Sequence, residues 1–312
     1  MLDLLQAHCR DHVAELQEEF QSGQPFRYLA IDNFLELEFC GQLIREFPAF
    51  DPNRARNELG EVGRKAVFTE LTRLGAAYAR LDGLLRSEEF LAWTGQITGI
   101  ANLLYDPQYV GGGTHENLDG QDLDPHVDFN YHPASGLHRR LNLIIYLNPE
   151  WEECWGGSLE LHRNPWLPPE ENLVRAIVPL ANRAVLFETT EHSWHGFPRI
   201  TLPGDKKHLS RRSVAVYYYS KDRPAKETAP SHGTVYVPRP LPQHVREGYT
   251  LTAADLHEIE LLMARRDRQI QYLYEREREY SEVLAGIMRS PAFRLGRVLS
   301  WPVRMLRGRG RK

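Results

Sequence analysis

The stretch Asp124-Pro125-His126-Val127-Asp128-Phe129-Asn130 sets an imidazole and a carboxylate two residues apart. On an extended strand such residues point to the same face, so His126 and Asp128 supply two of the three ligands of a metal site. A third ligand must come from far along the chain, and Glu191-His192-Ser193-Trp194-His195-Gly196 offers two candidates, His192 and His195, near a strand. Two imidazoles and one carboxylate leave three neighbouring positions of an octahedral ion open. That donor set suits a non-haem Fe(II) centre and differs from a closed zinc site. Further on, Arg211-Arg212-Ser213 opens another strand. Arg211 and Ser213 share a face there, and the planar fork of an arginine fits a carboxylate, so the pair could hold one end of a dicarboxylic cosubstrate. Taken alone, His126 would more often be a satisfied strand histidine; its neighbours shift that balance.

These residues need a strand-rich scaffold. From Tyr105 onward the texture supplies one, with short apolar runs separated by Gly, Pro and Asn in the manner of a β-sandwich or barrel. The clearest strands are 142–147, 157–162, 173–178, 184–187 and 213–219. Gly111-Gly112-Gly113-Thr114-His115 reads as a loop before the His-Asp strand, and it lacks the Gly-Lys-Ser/Thr continuation of a phosphate loop. The first hundred residues read as a mainly helical buttress. Apolar spacings of three and four predict one helix over 2–20; Asp32 or Asn33 is the expected cap of a helix through Leu43, Ile44 and Phe47; 71–85 and 90–100 read as further helices. Residues 26–31 read as a strand and 51–65 as an exposed loop.

With 312 residues the chain can bury a sizeable core. Cys9, Cys40 and Cys154 are too scattered for a disulfide framework or a cysteine zinc site. No apolar run is long enough to span a membrane, and the N-terminus lacks a secretory signal, so a cytoplasmic location is expected. The net charge of -4 hides an asymmetry: residues 289–312 hold eight Lys or Arg and no acid, which leaves -12 for 1–288. An acidic body argues against nucleic acid as a partner. The basic tail, which interleaves Phe293, Leu295, Val298 and Trp301 with arginines, suits peripheral contact with the inner membrane face or with an acidic protein. Before it, the Pro-rich run 221–250 reads as a linker or surface strap. Leu256, Met263, Ile270, Glu277 and Leu284, with Ile259, Arg266, Leu273, Tyr280 and Ile287, then form two heptad columns. They predict a long helix over 251–288 that packs on its own domain or pairs in a homodimeric coiled coil.

In their order and spacing, His126-Val127-Asp128, Ser193-Trp194-His195-Gly196 and the strand from Arg211 to Tyr219 resemble the 2-oxoglutarate and Fe(II)-dependent oxygenase superfamily, near its prolyl 4-hydroxylase-like branch. The run from Arg140 to Asn148, then Trp151 and Gly156-Gly157-Ser158-Leu159, is similar to that branch's strand, turn and Gly-Gly-x-Leu signature, and Asp32-Asn33-Phe34-Leu35 resembles its lead-in. The resemblance covers 28–220 and implies a double-stranded β-helix (jelly-roll, cupin-like) core. The expected architecture is therefore mainly β with a helical buttress: support over 1–104, core over 105–220, strap over 221–250, long helix over 251–288 and tail over 289–312.

The same resemblance implies His126, Asp128 and His195 as iron ligands, His195 being preferred to His192 because Ser-x-His-Gly fits the family. It implies Arg211, rather than Arg212, as the anchor for the distal carboxylate, beside Ser213. Asn142 and Tyr146 share a strand face and are further candidate contacts to the keto acid. The implied cofactors are Fe(II), 2-oxoglutarate and O2, with ascorbate as an optional accessory. The implied reaction is hydroxylation with release of succinate and CO2, on a peptide or small molecule: a prolyl residue, an amino acid, or a sugar- or lipid-linked intermediate. Asn130 and Tyr131 are weaker candidates, Trp151, Trp155, Trp166 and Trp194 could line a substrate mouth, and His115, His132, His138 and His162 read as surface or flanking histidines. Two rival readings are a non-catalytic β-helix scaffold and a zinc hydrolase, which leaves the Arg-x-Ser pair unexplained.

Overall fold

The computed structural model describes residues 1–55, 65–242, 244–293 and 295. They fall into two compact units, Met1–Pro240 and Leu241–Lys312. In the first unit the opening segment is not one helix. A 3-10 turn over Leu2–Leu4 precedes α1 (Ala7–Asp11) and α2 (Val13–Ser22). The break has a cause: Leu5 forms a β-bridge with Leu35, and Gln6 N donates to Phe34 O at 3.1 Å. After β1 (Tyr28–Ile31) comes α3 (Leu37–Arg45), and here the cap expected of Asp32 or Asn33 does not form. Asp32 accepts from Arg183 instead, while the Asn182 amide bridges Leu35 N and Leu35 O at 2.8 and 2.7 Å. That bridge keeps the chain extended to Glu36, which caps the helix without a side-chain bond.

Then come β2 (Ala66–Phe68), α4 (Ala76–Leu85) and α5 (Glu88–Thr98), with Ser87 capping α5 through Phe90 N. Of the loop expected over 51–65, residues 56–64 lie outside the described residues. The remaining strands are β3 (Leu104–Tyr105), β4 (Gly113–Asn117), β5 (Leu123–Val127), β6 (His138–Tyr146), β7 (Leu159–His162), β8 (Val174–Ile177), β9 (Ala184–Glu188), β10 (Trp194–Phe197), β11 (Arg211–Ser220) and β12 (Val235–Tyr236). Gly113, Thr114 and His115, expected in a loop, thus begin a strand. Two antiparallel sheets result, one ordered β1-β9-β6-β11-β4-β2 with β3 also on β11, the other β12-β5-β10-β7-β8. This is the mainly β jelly-roll architecture expected, except that β1 and β2 bring the supporting region into the large sheet.

Alternation divides the large sheet's two faces. Leu141, Leu143 and Ile145 of β6, with Val214, Val216 and Tyr218 of β11, share one apolar cluster with Leu81, Phe90, Trp93 and other helical residues. The opposite face packs Tyr146, Val185 and Phe187 against Leu159, Leu161 and Ile177 of the smaller sheet. Each such buried leucine or isoleucine contributes about 1.5–3 kcal/mol. The polar residues on that inner face, Asn142, Arg211 and Ser213, are therefore enclosed between sheets.

The second unit contains α6 (Ala253–Arg289), which opens with a capping box between Thr252 and Asp255. Met263, Ile270, Leu273, Tyr280, Leu284 and Ile287 of its heptad columns are exposed. Among the described residues no helix is long and apolar enough to cross a membrane. The basic tail lies almost wholly outside the described residues.

Candidate active site

β5 and β10 are neighbours, and their register sets His195 directly opposite His126. The ring centroids are 4.3 Å apart. Asp128 follows the end of β5 on the face of His126, and one ligand atom from each of the three residues lies within 4.8 Å of the others. His126 Nδ1 and His195 Nδ1 each meet a carbonyl two residues back, Asp124 O and Ser193 O, at 2.9 Å. Nδ1 therefore donates, which leaves the Nε2 lone pairs facing Asp128, at 3.7 Å from Oδ1 and 3.4 Å from Oδ2. Gly196 permits this close pairing, because a Cβ there would meet Leu123 O at 2.6 Å. His192 is exposed and stands outside the set.

Asp128 is held from behind. Its Oδ2 accepts from Arg139 Nη2 and Asn142 Nδ2, both at 2.9 Å, and Asn142 Oδ1 in turn accepts from Arg139 Nη2 at 2.8 Å. Burial alone would raise the Asp128 carboxyl, but Arg139, the two imidazoles and the Asn142 amide together hold it well below the usual range. Burial, and then His195, pull His126 down to about 3 against the opposing pull of Asp128. His195 is lowered by burial too. At neutral pH the three groups are two neutral imidazoles and a carboxylate, the protonation a divalent metal requires.

Arg139 was not legible as a site residue, and the reason is a register shift. Along β11 the partner of Tyr218 is Leu141 while that of Tyr219 is Arg139, so a bulge omits Arg140. Regular alternation would have placed Arg140 on the face of Asn142. Asn142 itself is committed to Asp128 and Arg139, a contact the sequence did not suggest.

Arg211 is buried on the inner face of β11. Its Nε donates to Gly157 O at 2.6 Å, its Nη2 donates to Tyr146 Oη at 3.1 Å, and the guanidinium lies 4.2 Å from the centre of the Phe197 ring. Gly157, at φ +68, allows the guanidinium stem to lie close, since a Cβ would stand 3.2 Å from Arg211 Cδ. Among the described residues no carboxylate pairs with Arg211. Burial lowers its pKa and Tyr146 is the opposing influence. Ser213 is buried two residues on, opposite Tyr146 on one side and His115 on the other. Arg212 faces the other way, with Nε 3.1 Å from Glu116 Oε1.

One further cation enters the site from outside the core. Lys65 precedes β2, and its Nζ meets His115 Nε2 at 3.3 Å. Burial pulls the ammonium down to about 8; Asp128 works against this, and Arg139 and Arg211 add to it. Burial, then Lys65 and Arg211, keep His115 well below the ordinary imidazole range. The ammonium can only donate, so His115 Nε2 accepts from the lysine.

The Pro-rich run crosses the same region. β12 extends the small sheet beside β5, and the Tyr236 ring lies 5.1 Å from that of His126. Asn130 Nδ2 donates to Pro230 O at 2.8 Å and Tyr131 Oη donates to Ala229 O at 3.2 Å, so these two residues hold the strap. Of the tryptophans, Trp151 and Trp155 belong to an apolar cluster with Phe197, Ile200 and Leu202. Trp194 packs with Val127 and Val237, and Trp166 is exposed beside it. His132 ties down its own turn through Ala134 N and Ser135 N, His162 meets Asn172, and His138 stacks on Tyr131.

Residues 112–219 match a family model, that of the 2OG-Fe(II) oxygenase superfamily. The prolyl 3-hydroxylase OGFOD1 of Mus musculus is 24% identical over 274 residues, covering 83% of this chain and 43% of its own length. Its counterpart in Xenopus laevis is 25% identical over 234 residues, covering 71% and 42%. The chain thus spans under half the length of these curated relatives. Among solved structures, a prolyl hydroxylase of Trichoplax adhaerens in complex with a hypoxia inducible factor peptide fragment gives a TM-score of 0.46 at 17% identity, over 70% of this chain and 96% of that one. A prolyl 4-hydroxylase of Phytophthora capsici gives 0.45 at 20% identity, over 96% and 90%. His126, Asp128, His195 and Arg211 all lie inside the segment, residues 112–219, that matches the model of the 2OG-Fe(II) oxygenase superfamily.

Proposed function

We propose that this chain is an Fe(II)- and 2-oxoglutarate-dependent dioxygenase that hydroxylates its substrate. The observation that carries this reading is the enclosure, in one inner face, of a two-histidine, one-carboxylate set and a buried guanidinium with no carboxylate partner among the described residues. The donor set fits Fe(II) and leaves adjacent positions for other ligands. Arg211 fits the distal carboxylate of 2-oxoglutarate, because a buried charge left unpaired costs several kcal/mol that a bound carboxylate would offset. When bound, Fe(II) with 2-oxoglutarate and O2 supplies the oxidising power, with succinate and CO2 as the products of the keto acid.

The chain's own residues do the rest. His126 and His195 present fixed Nε2 lone pairs, Arg139 and Asn142 hold the Asp128 carboxylate ionised and oriented, Arg211 and Tyr146 position the cosubstrate, and the packed aromatic surroundings exclude water. A prolyl residue heads the candidate substrates because the curated relatives are named prolyl 3-hydroxylases. A free amino acid and a sugar- or lipid-linked intermediate follow. Succinate formation from 2-oxoglutarate in the presence of a prolyl-peptide library tests the reading. It should require Fe(II) and fall to background in Asp128→Ala; activity that survives that change would remove the metal set from the reaction.

A further inference from the structure

Among the described residues the charges around the metal set do not balance. Lys65, Arg139 and Arg211 are cations; the carboxylate that acts on Lys65 is Asp128, and Asp128 is already bonded to Arg139 and Asn142. The His115 imidazole, which accepts from the Lys65 ammonium at 3.3 Å, brings no negative charge to it. On the oxygenase reading, Fe(II) and the 2-oxoglutarate dianion enter with opposite and equal charge, so they leave the excess where it was. Arg211 is assigned to the distal carboxylate of the keto acid. The Lys65 ammonium then has a neutral imidazole at 3.3 Å and, among the described residues, no carboxylate of its own. His115 aims it, being itself fixed in β4 between β2 and β11.

We infer that Lys65, aimed by His115, is an oxyanion-binding site for the substrate, which therefore carries a carboxylate or phosphate. This rests on the oxygenase reading for the word substrate, but not for the presence of an anion site. An ammonium is a compact point charge that takes either oxyanion, whereas Arg211 offers the planar fork suited to the cosubstrate carboxylate. The two cations thus divide the work. Arg211 sits at the Gly157 and Tyr146 end of the inner face, and Lys65 arrives by way of β2, from a strand edge outside the matched segment. Specificity for the substrate would then be encoded outside the oxygenase core.

Calorimetric titration of the full chain with inorganic phosphate and with acetate tests this, run once on the metal-free protein and once with Fe(II) and 2-oxoglutarate bound under anaerobic conditions. With Fe(II) and 2-oxoglutarate bound, so that Arg211 is occupied, wild type should bind one anion per chain, Lys65→Met should weaken that binding at least tenfold, and Lys65→Arg should retain most of it; the metal-free protein should bind a second anion at Arg211. Preference for acetate would assign a carboxylate on the substrate, and preference for phosphate a phosphoester. The affinity for 2-oxoglutarate should be the same in all three proteins. With Fe(II) and 2-oxoglutarate bound, failure of wild type to bind either anion, or anion binding that survives Lys65→Met in protein with an unchanged melting temperature, would overturn the site. A rise in the 2-oxoglutarate requirement of Lys65→Met would overturn it too, by giving the lysine to the cosubstrate. Lys65-dependent anion binding in a protein that takes up neither Fe(II) nor 2-oxoglutarate would instead defeat the oxygenase reading and leave the anion site standing.

Discussion

The two ends of the enclosed site differ in how complete they are. At the metal end the groups that do not face the ion position are satisfied within the chain: both Nδ1 atoms on carbonyls, and Asp128 Oδ2 on Arg139 and Asn142. At the cationic end Arg211 and Lys65 meet, among the described residues, only neutral partners, a carbonyl, a phenol and an imidazole. The first end is preorganised to hold an ion without rearrangement. The second carries charge that no carboxylate among the described residues pairs with. Selectivity for metal should therefore be robust to changes in ligand, while occupancy of the cationic end should depend on anion supply.

The largest expected effect comes from removing the carboxylate. Asp128→Ala should lower Fe(II) affinity by at least about 100-fold, since loss of an outer partner alone costs about 10- to 100-fold. Equilibrium metal titration checks this, with circular dichroism to confirm the fold. Loss of the brace should come next: Asn142→Leu should fall in that 10- to 100-fold range while the 2-oxoglutarate requirement changes less. If the cosubstrate requirement moves more than metal affinity, Asn142 belongs to the cationic end after all. Arg211→Met should weaken 2-oxoglutarate by about 10- to 100-fold, the value of charged hydrogen bonds of about 1.5–3 kcal/mol. Arg212→Met, whose partner is Glu116, should leave it unchanged.

A smaller effect should follow pH. Below the ordinary imidazole value of 6.5 the unfolded chain takes up a proton at His126 that the folded, metal-free chain accepts only near a pH of about 3. The unfolded state binds more protons in that interval, so stability should fall as pH drops from 6.5 toward 3. His126→Asn should flatten the melting-temperature profile there, and an unaltered slope would place the titration elsewhere.

Most of the metal end was legible because its spacing is local. His126 and Asp128 depend only on strand periodicity, and Arg211 with Ser213 on the same rule. His195 against His192 was decided by register, which sets His195 opposite His126. The braces and the far cation were not legible for separate physical reasons. Arg139 reaches the inner face through a bulge that no periodicity announces. Lys65 stands at the end of a polar, aperiodic stretch, and its role depends on β2 joining β4 across a distant turn of the chain. In the helical region the Asn182 amide, remote in sequence, overrides the capping potential of Asp32 and Asn33. Tertiary hydrogen bonds from afar are what local pattern cannot supply.

The most direct test of the whole account is the visible spectrum of the anaerobic, Fe(II)-loaded protein as 2-oxoglutarate is added. A metal-to-keto-acid charge-transfer band should grow to saturation, require a much higher 2-oxoglutarate concentration in Arg211→Met, and be absent in Asp128→Ala and His195→Ala. A folded, iron-loaded protein that develops no band, or a band that persists without Asp128 and His195, would contradict the assignment of this site.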